Sequence, residues 1–249
     1  MADDKDVPLK FALLVFPQFE PLDAFGPTEA IHGLSRWPTF PYRDQIELTI
    51  IGPSLDPVST GPILEDPKPF NSRIAQTIVP THTFDNPPEG IDVLIVPGGF
   101  GAGPYTFSGF KPNVDPEIQF IREWYPKIKH LLTVCTGAGI AARAGVLDGQ
   151  QATTNKVAWS TQTPLGPKTH WVAKARWVVS DGGKLWTASG VSAGMDGFLA
   201  LVDQIYGKDE RGMSYADAVS DGMEYSRIKD SGDDPFAVKN SVQDVFPQA

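Results

Sequence analysis

The segment LLTVCTGAGIAARAG, residues 131–145, joins an apolar run of strand length to the only cysteine of the chain, Cys135, and then to a series of small residues. This order predicts a buried β-strand that turns sharply into a helix. At such a turn the cysteine side chain projects from the carboxyl end of the strand, over the amino terminus of the helix. The segment therefore predicts a nucleophile elbow with sulfur as the nucleophile.

Two features of an elbow favour a thiolate at Cys135. The helix dipole and the free N–H groups at the helix amino terminus stabilise negative charge, which lowers a thiol pKa from about 8.5 toward neutrality. Gly137 and Gly139 are poor helix formers, so close packing of the backbone around the turn explains them better than helix stability does. The alternative is that Cys135 is only a small buried apolar residue. The local sequence favours the nucleophile.

The composition is that of an ordinary globular protein. Of 249 residues, 41% are hydrophobic and 20% are charged, which excludes a disordered chain. No repeat or linker is evident, and a chain of this length buries a sizeable core. We therefore predict a single domain over residues 1–249, with its core at roughly 9–227 and a loosely ordered carboxyl-terminal tail at 228–249.

Charge and cysteine content limit the possible partners. The net charge is −9 and no basic run offsets it, so we expect binding neither to nucleic acid nor to an anionic membrane. A single cysteine excludes an internal disulfide and a cysteine-rich zinc site, and no motif indicates a metal or a cofactor. Residues 1–6 are charged, and no run of about 18 apolar residues occurs. We expect a cytoplasmic protein that acts on a small molecule without a cofactor.

Apolar runs and helical periods alternate along the chain. Strands are predicted at 10–16, 46–51, 73–79, 91–96, 131–134, 170–179 and 184–187, with a hairpin turn at 180–183. Helices are predicted from near Pro27, from a capping Asp115 to Ile128, after Cys135, over 195–205 and over 215–225. This alternation predicts an α/β fold, a doubly wound α/β/α sandwich with a mostly parallel central sheet and ligands at the carboxyl ends of its strands.

One aromatic segment interrupts the alternation. Residues 35–45 contain two prolines and three aromatic residues, which predicts an exposed excursion from the domain. A loop that exposes Trp37, Phe40 and Tyr42 would wall a pocket or cover a partner subunit.

Three predicted loops follow buried strands and converge at one edge of the sheet. They hold Glu20 and Asp23, Pro97–Gly99, and Val134–Gly137. Asp23 is placed to exchange a proton with Cys135, and the N–H groups of Gly99 and Thr136 are placed to stabilise developing negative charge. Simpler alternatives stay open: Asp23 as a turn or cap acid, Glu20 as a solvated loop residue, and the glycines as a plain turn.

Several of these motifs together resemble the ThiJ/PfpI superfamily, which has the class I glutamine amidotransferase-like fold. They are Phe16-Pro17, Leu22-Asp23-x-x-Gly26-Pro27, Val96–Gly99, Val134–Gly137, Gly145–Thr154 and Gly190–Asp196. Within the superfamily they are most similar to isocyanide hydratases and to the sensor-like domains of some transcription regulators. The resemblance implies a nucleophilic Cys135, with Asp23 in the position of a glutamate of other members. It also implies a homodimer with the active site near the interface.

The chain departs from this pattern after Ala152-Thr153-Thr154. Many members carry a histidine at the next position, where it pairs with the cysteine, but here the residue is Asn155. Asparagine cannot take up a proton from the thiol, which argues against mechanisms that need a Cys–His dyad. The four histidines, His32, His82, His130 and His170, stand in places that offer no substitute.

The resemblance and the residues together favour an isocyanide hydratase. Cys135 attacks the isocyanide carbon, Asp23 protonates the adduct, and water releases an N-substituted formamide without a cofactor. A second hypothesis is a glyoxalase, deglycase or hydrolase that acts on a reactive carbonyl. A third is a non-catalytic sensor of small molecules or oxidants, in which Cys135 is oxidised to a sulfinate held by Asp23.

Overall fold

The computed structural model describes residues 7–61, 74–104 and 113–248. The strands are β1 (Lys10–Leu14), β2 (Glu47–Gly52), β3 (Val58–Ser59), β4 (Thr77–Ile78), β5 (His82–Thr83), β6 (Val93–Val96), β7 (His130–Val134), β8 (Gln151–Ala152), β9 (His170–Trp171), β10 (Trp177–Ser180) and β11 (Leu185–Ala188). The helices are α1 (Pro21–Arg36), α2 (Asp115–Trp124), α3 (Gly137–Arg143), α4 (Trp159–Gln162), α5 (Ala193–Tyr206), α6 (Tyr215–Gly222) and α7 (Phe236–Lys239). None of the described helices is long and apolar enough to cross a bilayer.

Seven of the strands form one central sheet in the order β10-β11-β7-β6-β1-β2-β5. All neighbours in it are parallel except β10 and β11, which form an antiparallel hairpin. Helix α1 packs on α5 and α6, while α2 packs on α3, so the helices form two groups around the sheet. This arrangement confirms the predicted doubly wound α/β sandwich with a mostly parallel sheet.

The middle of the sheet is apolar on both faces. All four residues of β6 are buried, as are Phe11–Leu14 in β1 and Leu131–Val134 in β7. Strands that are covered on both sides need continuous apolar runs rather than alternation, which is why these segments were recognisable in the sequence. The carboxyl ends of these three neighbouring strands define the edge where the candidate site lies.

Helix α1 begins earlier than its sequence predicts. The prediction started the helix near Pro27, but it begins at Pro21 and runs through Pro27. A proline at the first helical position costs nothing, because that N–H has no partner within the helix. After Pro27, the Thr28 hydroxyl donates to the Ala24 carbonyl at 3.1 Å. The prediction was therefore wrong about the loop, and Asp23 lies in the first turn of a helix.

The aromatic side chains of segment 35–45 pack against the domain, although most of the other residues of the segment are exposed. The Phe40 side chain is buried, and its ring makes edge contacts with the rings of Tyr42, Tyr206 and Tyr215. The predicted exposure holds for most of the segment but is wrong for its aromatic residues, because Phe40 completes the core beside α5 and α6 and Trp37 and Tyr42 are partly buried against it. The segment therefore gives no argument for a partner subunit. The homodimer stays a prediction from the resemblance, and sedimentation of the 27.0 kDa chain tests it.

The carboxyl-terminal tail is also ordered, contrary to the prediction. It forms α7, and Val245 exchanges two backbone hydrogen bonds with Trp171, at 2.8 and 3.0 Å. Asp234 pairs with Lys156 at 3.3 Å, and each of these two side chains is only 1% exposed. The tail is held by a buried ion pair and by partly buried valines, which a short acidic sequence does not reveal.

Smaller differences concern the ends of elements. Asp115 is the first residue of α2 and not its cap, and Ile128 lies beyond the end of that helix at Trp124. The strand predicted at 170–179 is divided into β9, which pairs with β8, and β10, which joins the central sheet. The hairpin predicted at 180–183 is confirmed. Of the strand predicted at 73–79, only β4 is formed, while residue 73 and residues 1–6 lie outside the described ranges.

Candidate active site

Cys135 stands at a sharp turn between β7 and α3. Its φ angle is +57°, a left-handed conformation that costs a non-glycine residue about 1–3 kcal/mol. A Cβ atom on Gly137 would lie 2.5 Å from the Val96 carbonyl oxygen, and one on Gly139 would lie 2.0 Å from Oε1 of Gln162. Close packing therefore favours glycine at both positions, and the predicted sharp turn from strand to helix at Cys135 is confirmed.

The Cys135 sulfur is surrounded by hydrogen-bond donors. Nδ2 of Asn155 lies 3.2 Å from Sγ, and the backbone N–H groups of Thr136 and Val191 also donate to the sulfur. The orientation of the Asn155 amide is set by its other end, because Oδ1 accepts from the N–H groups of Val157 at 2.8 Å and Ala158 at 3.1 Å. The amide can stabilise negative charge on sulfur, but it cannot accept the thiol proton.

Asp23 lies next to Cys135 and is fully buried, with 0% of its surface exposed. Oδ2 accepts the Gly98 N–H at 2.8 Å, and Oδ1 has no hydrogen-bond partner among the described residues. Burial raises the pKa of Asp23 to about 8, and the nearby charge of Glu20 adds to the rise, although the Gly98 N–H opposes it. The carboxyl group is therefore protonated at neutral pH and can act as an acid.

Burial also raises the pKa of the Cys135 thiol, and the neighbouring Asp23 raises it further. The donors from Asn155, Thr136 and Val191 work in the opposite direction without overcoming burial. The sequence predicted a lowered thiol pKa from the elbow alone, and that expectation was wrong because only 6% of Cys135 is exposed. At neutral pH the site thus holds a neutral thiol beside a neutral carboxyl group.

A cavity of about 270 Å³ opens onto the sulfur. It is lined by Glu20, Gly99, Phe100, Cys135, Thr136, Asn155, Val157, Ala158, Thr161 and Val191. Its walls are mainly apolar, and Glu20 is the acidic residue among them. Asp23 is not among the lining residues, but it neighbours Cys135, and its Oδ2 accepts the Gly98 N–H. The structure thus brings together all three of the loops that the sequence predicted to converge.

Gly99 and Thr136 bind each other. The Gly99 N–H donates to Oγ1 of Thr136 at 2.9 Å, and that hydroxyl donates to the Gly99 carbonyl at 3.1 Å. The Gly99 N–H is therefore occupied and does not point to a substrate, whereas the Thr136 N–H does reach the sulfur. Gly99 has a φ of +130°, and a Cβ there would lie 2.3 Å from the Gln18 carbonyl oxygen. The absence of a side chain at Gly99 therefore allows the loop after β6 to pack closely against the loop after β1.

Sequence reasoning missed two donors to the sulfur. From the sequence, Asn155 was considered only as a residue that cannot accept the thiol proton. A side-chain amide at that position also indicates a hydrogen-bond donor to the sulfur. The Val191 N–H gave no signal, because a backbone donor depends on the path of the chain. That path is unusual, since Val191 has a φ of +20°.

None of the histidines lines the Cys135 cavity. Nδ1 of His130 lies 3.0 Å from the Gly183 carbonyl oxygen, and His170 lies 3.4 Å from Asp244. His32 contacts Arg36, and His82 contacts Thr81. Within the described ranges, no group of three or more His, Cys, Asp or Glu side chains is arranged to hold a metal ion.

Known proteins are similar to this chain in sequence and in fold. The model of the DJ-1/PfpI family matches residues 9–204. The isonitrile hydratase of Pseudomonas putida is 30% identical over 201 residues, which are 81% of this chain and 74% of the hydratase. The HTH-type transcriptional regulator GbdR of Pseudomonas aeruginosa is 30% identical over 157 residues, which are 63% of this chain but only 38% of the regulator.

Solved structures agree with these matches. A THiJ/PfpI family protein from Pseudomonas syringae superposes with a TM-score of 0.61 at 25% identity, covering 92% of this chain and 83% of that protein. An AraC family transcriptional regulator from Pseudomonas putida reaches a TM-score of 0.64 at 18% identity, over 87% of this chain and 100% of the other, and this likeness concerns the fold alone. Because the family model spans most of the chain and includes the Cys135 elbow, the chain belongs to the DJ-1/PfpI family.

Proposed function

We propose that this protein is a cofactor-independent hydratase that adds water to an isocyanide and releases an N-substituted formamide. One observation carries the proposal: the fully buried Asp23 lies beside the elbow thiol, and the sulfur of that thiol faces a small, mainly apolar cavity. The similarity to an isonitrile hydratase supports the substrate class.

The first step adds the thiol across the isocyanide carbon. That carbon carries a lone pair, and protonation converts it into an electrophile. Asp23 donates its proton to the carbon while the Cys135 sulfur forms the S–C bond, and the thiol proton passes to the Asp23 carboxylate. The product is a thioimidate on Cys135, and Asp23 is protonated again. A neutral acid beside a neutral thiol suits this step, because no thiolate has to exist beforehand.

The second step hydrolyses the thioimidate. Water adds its oxygen to the carbon and one proton to the nitrogen. The C–S bond then breaks as the remaining hydroxyl proton passes to sulfur, which gives the formamide and the free thiol. Negative charge develops on sulfur as it leaves. The N–H groups of Thr136 and Val191 and the Asn155 amide already point at Sγ, so they stabilise this charge without rearrangement.

The cavity fits a small substrate with few polar groups. Its volume of about 270 Å³ lies at the lower end for small-molecule sites, and Phe100, Val157, Ala158 and Val191 give it apolar walls. The alternatives lack comparable support. A carbonyl reaction that depends on a Cys–His pair lacks its base here, because Asn155 occupies the position of the histidine. Oxidation by peroxide needs a thiolate, and the raised pKa of the Cys135 thiol opposes its formation.

Formamide production from alkyl and aryl isocyanides tests the proposal. We expect the wild-type protein to turn over, and we expect Cys135→Ser and Asp23→Asn to lose about two to four orders of magnitude in rate. Both substitutions are nearly isosteric, and unfolding curves serve as their control. Consumption of methylglyoxal but of no isocyanide would establish the carbonyl reaction instead. Ready oxidation of Cys135 by peroxide without any turnover would establish the sensor.

A further inference from the structure

We propose that Glu20 is the general base that activates water in the hydrolytic half of the reaction. This inference rests on the proposed function, because it assigns a residue to the second step of that reaction. It concerns a side chain for which the sequence favoured no role beyond that of a solvated loop acid.

Glu20 is held at the cavity by its backbone. It directly precedes α1, and its N–H donates to the Gly98 carbonyl at 2.8 Å, in the loop after β6. A bridge between Phe19 and Gly99 ties the same two loops together. The Glu20 side chain lines the cavity together with Cys135 and Asn155. A water molecule in the cavity therefore has access both to a carboxylate and to the carbon that is attached to sulfur.

The Glu20 side chain has no evident structural task. It occupies the cap position of α1 but makes no capping hydrogen bond. The side chain is half-buried and lines the cavity, and burial raises its pKa, while the full burial of Asp23 raises the pKa of that group to about 8. The two acids stand three positions apart but in different surroundings, Glu20 at the cavity and Asp23 enclosed by protein.

Among the described residues at the cavity, no other group can perform this task. Asp23 ends the first step protonated and therefore cannot accept a proton from water. Asn155 cannot accept a proton at its amide nitrogen, and its Oδ1 is occupied by two backbone N–H groups. Among the described residues that line the cavity, Glu20 and Cys135 are the ones that titrate, and Cys135 carries the adduct.

Glu20 accepts and returns one proton during the hydrolytic step. Its carboxylate takes a proton from water while the oxygen bonds to the thioimidate carbon, and it then delivers that proton to the nitrogen. The hydroxyl proton of the tetrahedral adduct passes to sulfur as the C–S bond breaks. The products are the formamide, the free thiol and an ionised Glu20.

The test compares Glu20→Gln with wild type after rapid mixing with an isocyanide. We expect Glu20→Gln to form the Cys135 adduct, seen by intact mass as a gain of one isocyanide, and then to release formamide about two to four orders of magnitude more slowly. Glu20→Asp should recover part of the rate. Asp23→Asn should accumulate no adduct, which distinguishes the roles of the two acids.

Failure of this inference is separable from failure of the proposed function. If wild type turns over and Glu20→Gln turns over equally fast, Glu20 is not the base although the function stands. Slow turnover in Glu20→Gln without adduct would assign Glu20 to the first step and overturn its role in hydrolysis. If wild type forms neither adduct nor formamide, the proposed function itself is wrong. Matching unfolding curves for wild type and Glu20→Gln control for damage to the fold.

Discussion

The side-chain amide of Asn155 donates to the sulfur of Cys135 across 3.2 Å, and its carbonyl end is fixed by the N–H groups of Val157 and Ala158. The amide orientation follows from this network, because only the nitrogen end can then face the sulfur. A histidine in this position would exchange protons with the thiol. Asn155 instead supplies a fixed partial positive charge, which is useful when sulfur leaves an adduct.

Asn155→Asp should keep the turn and weaken the site. The carboxylate still accepts from Val157 and Ala158, but it puts a negative oxygen where an N–H donor faced the sulfur. We expect a further rise of the thiol pKa and slower turnover, and we expect the free energy of unfolding to change little. Iodoacetamide labelling as a function of pH measures the thiol pKa.

Asn155→Ala is the matched variant for this experiment. It removes both the donor and the two accepted hydrogen bonds, so it should also lower the free energy of unfolding, by about 1 kcal/mol. A labelling profile of Asn155→Asp that coincides with that of wild type would show that the amide does not tune the sulfur.

Wild-type Cys135 should label as a weakly acidic thiol. Its burial and the neighbouring Asp23 raise the pKa above the free value of about 8.5, so labelling should accelerate only at alkaline pH. Asp23→Asn removes the charge that forms at high pH and should shift the profile to lower pH. A wild-type profile centred at or below neutrality would contradict the burial argument and restore the expectation drawn from the elbow alone.

The elbow alone predicts a lowered pKa of the Cys135 thiol, whereas burial raises it. This difference shows what a single sequence can predict about the site. The elbow was predictable because residues 131–145 encode strand, turn and helix locally. The approach of Asp23 to Cys135 was predictable from the parallel topology, which brings strand ends together. The thiol pKa was not, because it depends on how deeply distant segments bury the sulfur and on donors such as the Val191 N–H. Local sequence gives the chemical groups, and tertiary packing sets their protonation.

Asp23 should make stability depend on pH. Its pKa rises from 3.8 to about 8 on folding, so the folded state binds the proton more tightly than the unfolded state does. The resulting stability is complete below pH 4 and is lost as pH rises through 8. At about 1.4 kcal/mol per pKa unit, the loss has an upper bound of about 6 kcal/mol.

Asp23→Asn should remove this dependence, since an amide oxygen still accepts the Gly98 N–H. Urea unfolding at pH 5, 7 and 9 should show the variant gaining stability relative to wild type as pH increases. A constant difference between the two proteins across this range would mean that Asp23 is ionised in the folded protein.

The buried ion pair of Lys156 and Asp234 should stabilise the ordered tail. The Lys156 ammonium also donates to Oγ1 of Thr153 at 2.6 Å and to the Ala175 carbonyl at 3.0 Å, so it cannot leave when its partner is removed. Asp234→Asn keeps the acceptor for the N–H of Phe236, but it leaves a buried charge unpaired, and we expect a loss of about 3–5 kcal/mol.

The loss should shrink at high pH, where the ammonium can give up its proton. Burial already lowers the pKa of Lys156 to about 8, and without Asp234 this pKa falls further. The loss is therefore complete below the pKa of Lys156 in the variant and is relieved as pH rises from there to about 8. Asp148→Asn is the matched control. Its pair with Lys168 is also close, at 3.1 Å, but those side chains are 42% and 69% exposed, and the expected change is below about 1 kcal/mol. Equal effects of the two substitutions on urea unfolding at pH 7 would show that the tail is not anchored by charge.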